Sequence, residues 1–85
     1  MNEGETHPSH PAISKRLKRA EGHLRSVIRM IDESRPCVDI AQQLHAVEMA
    51  LVQAKRALIH EHLDHCLTSG HAHDMAEIKA LTRLL

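Results

Sequence analysis

The stretch HEHLDHC, from His60 to Cys66, places three histidines and a cysteine within seven residues. His62 and Cys66 are four apart, and on an α-helix that spacing projects both side chains from one face. His60 and His65 fall away from that face and read as solvated or supporting residues. An imidazole and a thiolate at i and i+4 offer two ligands, whereas a transition metal takes three or four. The rest must come from elsewhere, and Cys37 is the second cysteine of the chain. Each feature alone has a plainer reading: a cysteine at a helix start is often a small packed residue, and one His/Cys pair is often incidental.

Helices must position these residues. The chain has 85 residues and no Phe, Tyr or Trp, so any core is built from Leu, Ile, Val, Ala and Met. A chain of this size buries little surface, and association with further copies is an economical way to bury more. Residues 1–10 are polar, contain two His-Pro steps and read as a flexible arm; residues 11–85 form the helical domain. Pro11 suits the first turn of a helix. Ile13, Leu17, Ala20, Leu24, Val27, Ile28 and Ile31 then recur at three- and four-residue spacing, predicting an amphipathic helix that ends near Ser34. Pro36 disfavours a helical Arg35 and can open a second helix. That helix runs without Pro or Gly from Cys37 to the neighbourhood of Gly70. Leu44, Val47, Leu51, Ala54 and Leu58 follow the 3-4 alternation of a coiled-coil seam. Ala46, Ala50 and Ala54 make a stripe of small residues that would admit a close neighbour. A short third helix spans about Met75 to Leu85. The class is all-α.

The missing ligand follows from helix length. Cys37 and His62 lie about 37 Å apart along one straight helix, far beyond a shared coordination sphere. Antiparallel pairing of the long helix with a second copy brings Cys37 of one protomer opposite His62 and Cys66 of the other. A two-fold dimer then carries two equivalent sites between subunits. Cys37 also opens its helix, where the helix dipole favours a negatively charged ligand.

Charge points to a second partner. Between Ile13 and Met30 stand six basic residues (Lys15, Arg16, Lys18, Arg19, Arg25, Arg29) and one acid, Glu21, although the net charge is zero. A basic segment on a neutral protein suggests a polyanion; the plainer reading is a solvated helix face. No apolar run approaches the roughly 20 residues of a membrane span, and no signal peptide is evident. The expected location is the cytoplasm, where thiols stay reduced.

The segments RLKRAEGHLRSVIRMI, CVDIAQQLHAVEMAL and ALIHEHLDHC resemble the CsoR/RcnR family of bacterial metal-responsive repressors, from about Ile13 to the C-terminus. The resemblance implies a three-helix subunit whose long central helix pairs antiparallel in a dimer, commonly assembled as a dimer-of-dimers tetramer. It implies operator-DNA binding that is released when a transition metal binds between subunits. The family's ligand positions fall on Cys37, His62 and Cys66, with Glu77 able to support His62 through a hydrogen bond. Its DNA-facing positions match Arg16, with Lys15, Lys18, Arg19, Lys55 and Arg56 as neighbours. Cys, His, Cys is the ligand set of the family's copper(I) sensors, but those commonly carry a tyrosine before the first cysteine, where this chain has Pro36. The nickel and cobalt branch adds a histidine from the N-terminal arm. His7 and His10 offer one here, and nine histidines overall favour Ni(II) or Co(II) over Cu(I) as inducer. His7 and His10 could equally belong to a tail that binds nothing. Two alternatives stay open: a formaldehyde-responsive repressor of the same family, and a helical metal-binding protein without DNA activity. An enzyme is not expected, because no nucleophile stands beside an activating base.

Overall fold

The computed structural model describes residues 10–69 and 75–85, and within 65–69 the helical backbone alone. Three helices follow in order: α1 (His10–Asp32), α2 (Cys37–Ser69) and α3 (Met75–Arg83). No strand occurs among the described residues, as the all-α expectation requires. α1 starts at His10, so this histidine, assigned to the arm from sequence, belongs to the first turn of the helix.

The reversal between α1 and α2 is a Schellman closure. The Arg35 amide donates to the Met30 carbonyl at 3.0 Å, and the Ser34 amide to the Ile31 carbonyl at 3.1 Å. Ser34 sits in the left-handed region with φ of 55°, the position where such closures most often place glycine. This moves the end of α1 two residues ahead of the sequence expectation. Pro36 then caps α2, its carbonyl accepting the Ile40 amide at 3.1 Å.

The turn folds α2 back along α1. Two side-chain contacts mark the antiparallel register, His23 to Gln43 at 2.8 Å and His10 to Glu61 at 4.0 Å. Ile13, Ala20 and Val27, spaced by seven, are buried on α1, and Val47, Ala54 and Ile59 are buried on α2. Ala20 and Ala54 are small enough to let the two helices approach closely.

The expected seam of α2 divides. Val47 and Ala54 are buried, while Leu44, Leu51 and Leu58 remain exposed. At about 100° per residue, these leucines share one flank of α2. Leu17, Leu24 and Ile28 of α1, also exposed, occupy the same flank of the hairpin. Of the alanine stripe, Ala54 is buried against α1, and Ala50 lines a recess on the opposite flank. The hairpin therefore has exposed leucines on one flank and, on the other, a basic flank marked by Arg16 and Arg19.

With so small a core, single truncations are costly. Ile59→Ala, at a site 2% exposed, is expected to lower unfolding stability by about 2–5 kcal/mol. Urea denaturation at fixed protein concentration measures it as a reduced midpoint.

Candidate metal centre and nucleic-acid interface

His62 lies on α2 and Glu77 in the first turn of α3. The two helices meet there, and His62 Nε2 stands 2.9 Å from Glu77 Oε1. An ionised carboxylate only accepts, so Nε2 carries the hydrogen and donates it. In that tautomer the lone pair belongs to Nδ1, the arrangement by which a carboxylate orients a metal-binding imidazole. The expected His62–Glu77 contact is thus present within one chain.

The preceding residue brings a second histidine to this end of the molecule. Glu61 Oε2 is 4.0 Å from His10 Nε2, with the glutamate side chain 20% exposed. The start of α1 thereby lies beside the part of α2 that carries His62. Sequence spacing had no means of showing this contact, because it depends on the register of two helices. His7 lies outside the described residues. Cys66 belongs to the helical backbone of α2, and its side chain lies outside the described residues too.

Cys37 is an exposed free cysteine at the first position of α2. It stands at the opposite end of that helix from His62, as its length demands. Among the described residues, no group of three or more His, Cys, Asp or Glu lies close enough to hold an ion. One chain therefore brings His62, Glu77, His10 and Glu61 to one end and leaves Cys37 at the other. A cysteine sulfur and a carboxylate-supported imidazole are donor types that suit a borderline or soft transition metal.

Glu77→Gln keeps the size of the side chain and removes its charge. Loss of such a supporting carboxylate is expected to weaken metal affinity by about 10–100-fold. Competition with a chromophoric chelator measures this; unchanged affinity would show that the His62–Glu77 bond does not support a ligand.

The basic residues separate into two groups. Arg16 and Arg19 line a recess between α1 and α2 together with His23 and Gln53. Lys15, Lys18, Lys55 and Arg56 are exposed but do not line it. His23, read from sequence as a packing or surface residue, is joined to Gln43 across the hairpin. His45 is a surface residue, 3.5 Å from Glu48 one turn along. No helix among the described residues is long and apolar enough to cross a membrane.

Comparison with known proteins places this architecture. The family described as metal-sensitive transcriptional repressor matches residues 9–85. A copper-sensing transcriptional repressor CsoR of Mycobacterium ulcerans (strain Agy99) is 43% identical over 59 residues, covering 69% of this chain and 50% of the relative. The copper-sensing repressor RicR of Mycobacterium tuberculosis (strain ATCC 25618 / H37Rv) is 46% identical over 55 residues, 65% of this chain and 57% of the relative. The Bacillus subtilis (strain 168) CsoR is 40% identical over 58 residues, 68% of this chain and 57% of the relative. The matched segments thus span between half and three fifths of these relatives' lengths. No solved structure matches the chain. The family is one of repressors rather than enzymes, and the residues matched run from just before α1 to the last residue: the chain belongs to the metal-sensitive transcriptional repressor family.

Proposed function

We propose that this protein is a metal-responsive repressor that binds operator DNA in its apo form and releases it when a transition metal binds between two subunits. The observation that carries the reading is the His62–Glu77 bond, which presents His62 as a ligand at the end of α2 remote from Cys37. The site is completed by Cys37 of one protomer with His62 and Cys66 of its partner. The exposed line Leu44, Leu51, Leu58 supplies the pairing face. An antiparallel overlap that sets Cys37 opposite residues 62–66 is centred near Ala50, next to Leu51 in the middle of that line.

Ni(II) or Co(II) is the favoured inducer. What supports it is His10, which lies beside Glu61 at the His62 end of α2 and adds an imidazole there. Cu(I) is the second reading, favoured by relatives named as copper-sensing repressors. On either reading, joining Cys37 to the partner's end of α2 moves one α2 against the other. That displacement re-spaces the basic flanks of the two hairpins and lowers their affinity for DNA.

The test is an anaerobic titration of fully reduced protein with Ni(II), Co(II) and Cu(I). A fluorescent duplex, selected from a random pool by the apo protein, reports DNA binding by anisotropy. Release by Ni(II) or Co(II), with thiolate-to-metal absorption, is the expected result. Release by Cu(I) alone assigns the site to Cys37, His62 and Cys66 without the arm. Tight DNA binding indifferent to all three metals contradicts metal sensing and points to formaldehyde. Metal binding without any DNA affinity leaves a metal-binding protein.

A further inference from the structure

One side chain lining the recess between α1 and α2 is of a type that changes charge near neutral pH. Arg16, Arg19 and His23 line it from α1, and Ala50 and Gln53 from α2. The guanidinium groups stay charged throughout, whereas a histidine gains or loses its charge between about pH 5 and 8. His23 Nε2 stands 2.8 Å from Oε1 of Gln43 on α2. An amide oxygen only accepts, so in the neutral ring Nε2 carries the hydrogen and Nδ1 the lone pair. A proton arriving at Nδ1 leaves the bond to Gln43 intact. The ring can therefore change charge without leaving its place between the helices. From α1 the charged groups at the recess are Arg16 and Arg19, both cations; from α2 the ring meets Gln43, with Gln53 and Ala50 across the recess, and none of these titrates. Among the described residues α3 packs on α2 and not on α1. No carboxylate lines the recess to pair with a charged His23. A phosphate entering it would supply the missing anion.

We infer that His23 couples DNA binding to proton uptake, so that the repressor holds DNA more tightly as pH falls. The inference rests on the repressor reading, which brings a DNA phosphate to Arg16 and Arg19; it adds pH as a second control on affinity. An opposite charge within about 4–6 Å favours the charged form of an ionisable group by about one pH unit or more. His23 then carries more proton in the complex than in the free protein. By linkage, DNA affinity rises as pH falls through the histidine range. It levels off where both states are neutral and again where both are charged. Release of DNA on metal binding returns the proton to solvent.

The test compares full-length wild type, His23→Gln and His45→Gln, each reduced and metal-free. Glutamine at position 23 can still donate to Gln43 but does not titrate. His45 is a surface histidine beside Glu48 that does not line the recess. Affinity for a fluorescent duplex, selected from a random pool by the wild-type protein, is read by anisotropy from pH 6 to pH 8 at constant ionic strength. Wild type and His45→Gln should bind about tenfold more tightly at pH 6 than at pH 8, the effect of one pH unit of stabilisation at one group. His23→Gln should lose most of that gain. Equal pH dependence in all three proteins, or none in the wild type, overturns the coupling and leaves the repressor reading standing. Absence of DNA binding at every pH overturns the repressor reading, and the coupling falls with it. A second measurement needs no variant. In ¹⁵N-labelled wild type at pH 7, the ring nitrogen shifts of His23 should move towards those of a charged imidazole when the duplex is added. Ring shifts that stay in place while the duplex binds overturn the coupling, whether or not His23→Gln folds.

Discussion

Replacing Cys37 with alanine abolishes metal-triggered release of DNA while apo DNA affinity stays within about twofold of wild type. The expectation follows from where Cys37 stands. It is exposed at the start of α2 and makes no contribution to the buried set formed by Ile13, Ala20, Val27, Val47, Ala54 and Ile59. Its removal therefore spares the fold of the hairpin. His62 and Glu77 remain joined at the far end of α2, so part of a site persists and some metal can still bind. The mechanical connection between the subunits is lost. A coupling of typical size, about 5–150-fold in DNA affinity, collapses to none. Linkage makes the same claim in reverse: in wild type, DNA must weaken metal binding by the same factor, and in Cys37→Ala it must not. Anisotropy titrations with and without saturating metal measure both sides. Full release by Cys37→Ala would remove this residue from the sensing site.

Arg16→Ala carries the second large effect, and on the other ligand. Arg16 is exposed on the basic flank, lines the recess, and is the position at which the family resemblance places a DNA contact. In the proposed assembly each hairpin presents its own copy, so one substitution would remove several phosphate contacts. A loss of at least about tenfold in DNA affinity is expected at moderate salt, with a shallower dependence of log K on log salt by about one per contact removed. Metal affinity in the absence of DNA should not change, because Arg16 is remote from His62, Glu77 and Cys37. An unchanged salt slope would show that this flank does not meet the phosphates.

The parts of this architecture readable from sequence were those set by local rules. Helical periodicity marks α1 through Ile13, Ala20 and Val27, and the uninterrupted run after Pro36 marks α2. The i, i+4 rule isolates His62 and Cys66, and chain length forces Cys37 away from them. What local rules do not carry is the register of one helix against another. His10 beside Glu61 and His23 beside Gln43 are such contacts, and nothing in their own neighbourhoods announces them. The division of α2's apolar residues has the same cause. Val47 and Leu51 look alike in a heptad count, yet α1 covers one and leaves the other exposed. The alanine stripe also divides by register: Ala54 meets α1, while Ala50 lines a recess between the helices. Ser34 at φ of 55° shortens α1 through a closure that periodicity alone does not detect.

The central claim is that the metal site is shared between two chains, and complementation tests it most directly. Cys37→Ala and His62→Ala are each prepared reduced and anaerobic, then mixed, unfolded and refolded together. A heterodimer of the two variants rebuilds one complete site: Cys37 from the His62→Ala chain, with His62 and Cys66 from the Cys37→Ala chain. Each variant alone should give little thiolate-to-metal absorption with Co(II) or Ni(II). The refolded mixture should recover about a quarter of the wild-type signal, since half of the dimers are mixed and each holds one of two sites. A mixture that shows only the average of the two variants, with no recovery, would contradict a site built across the subunit boundary.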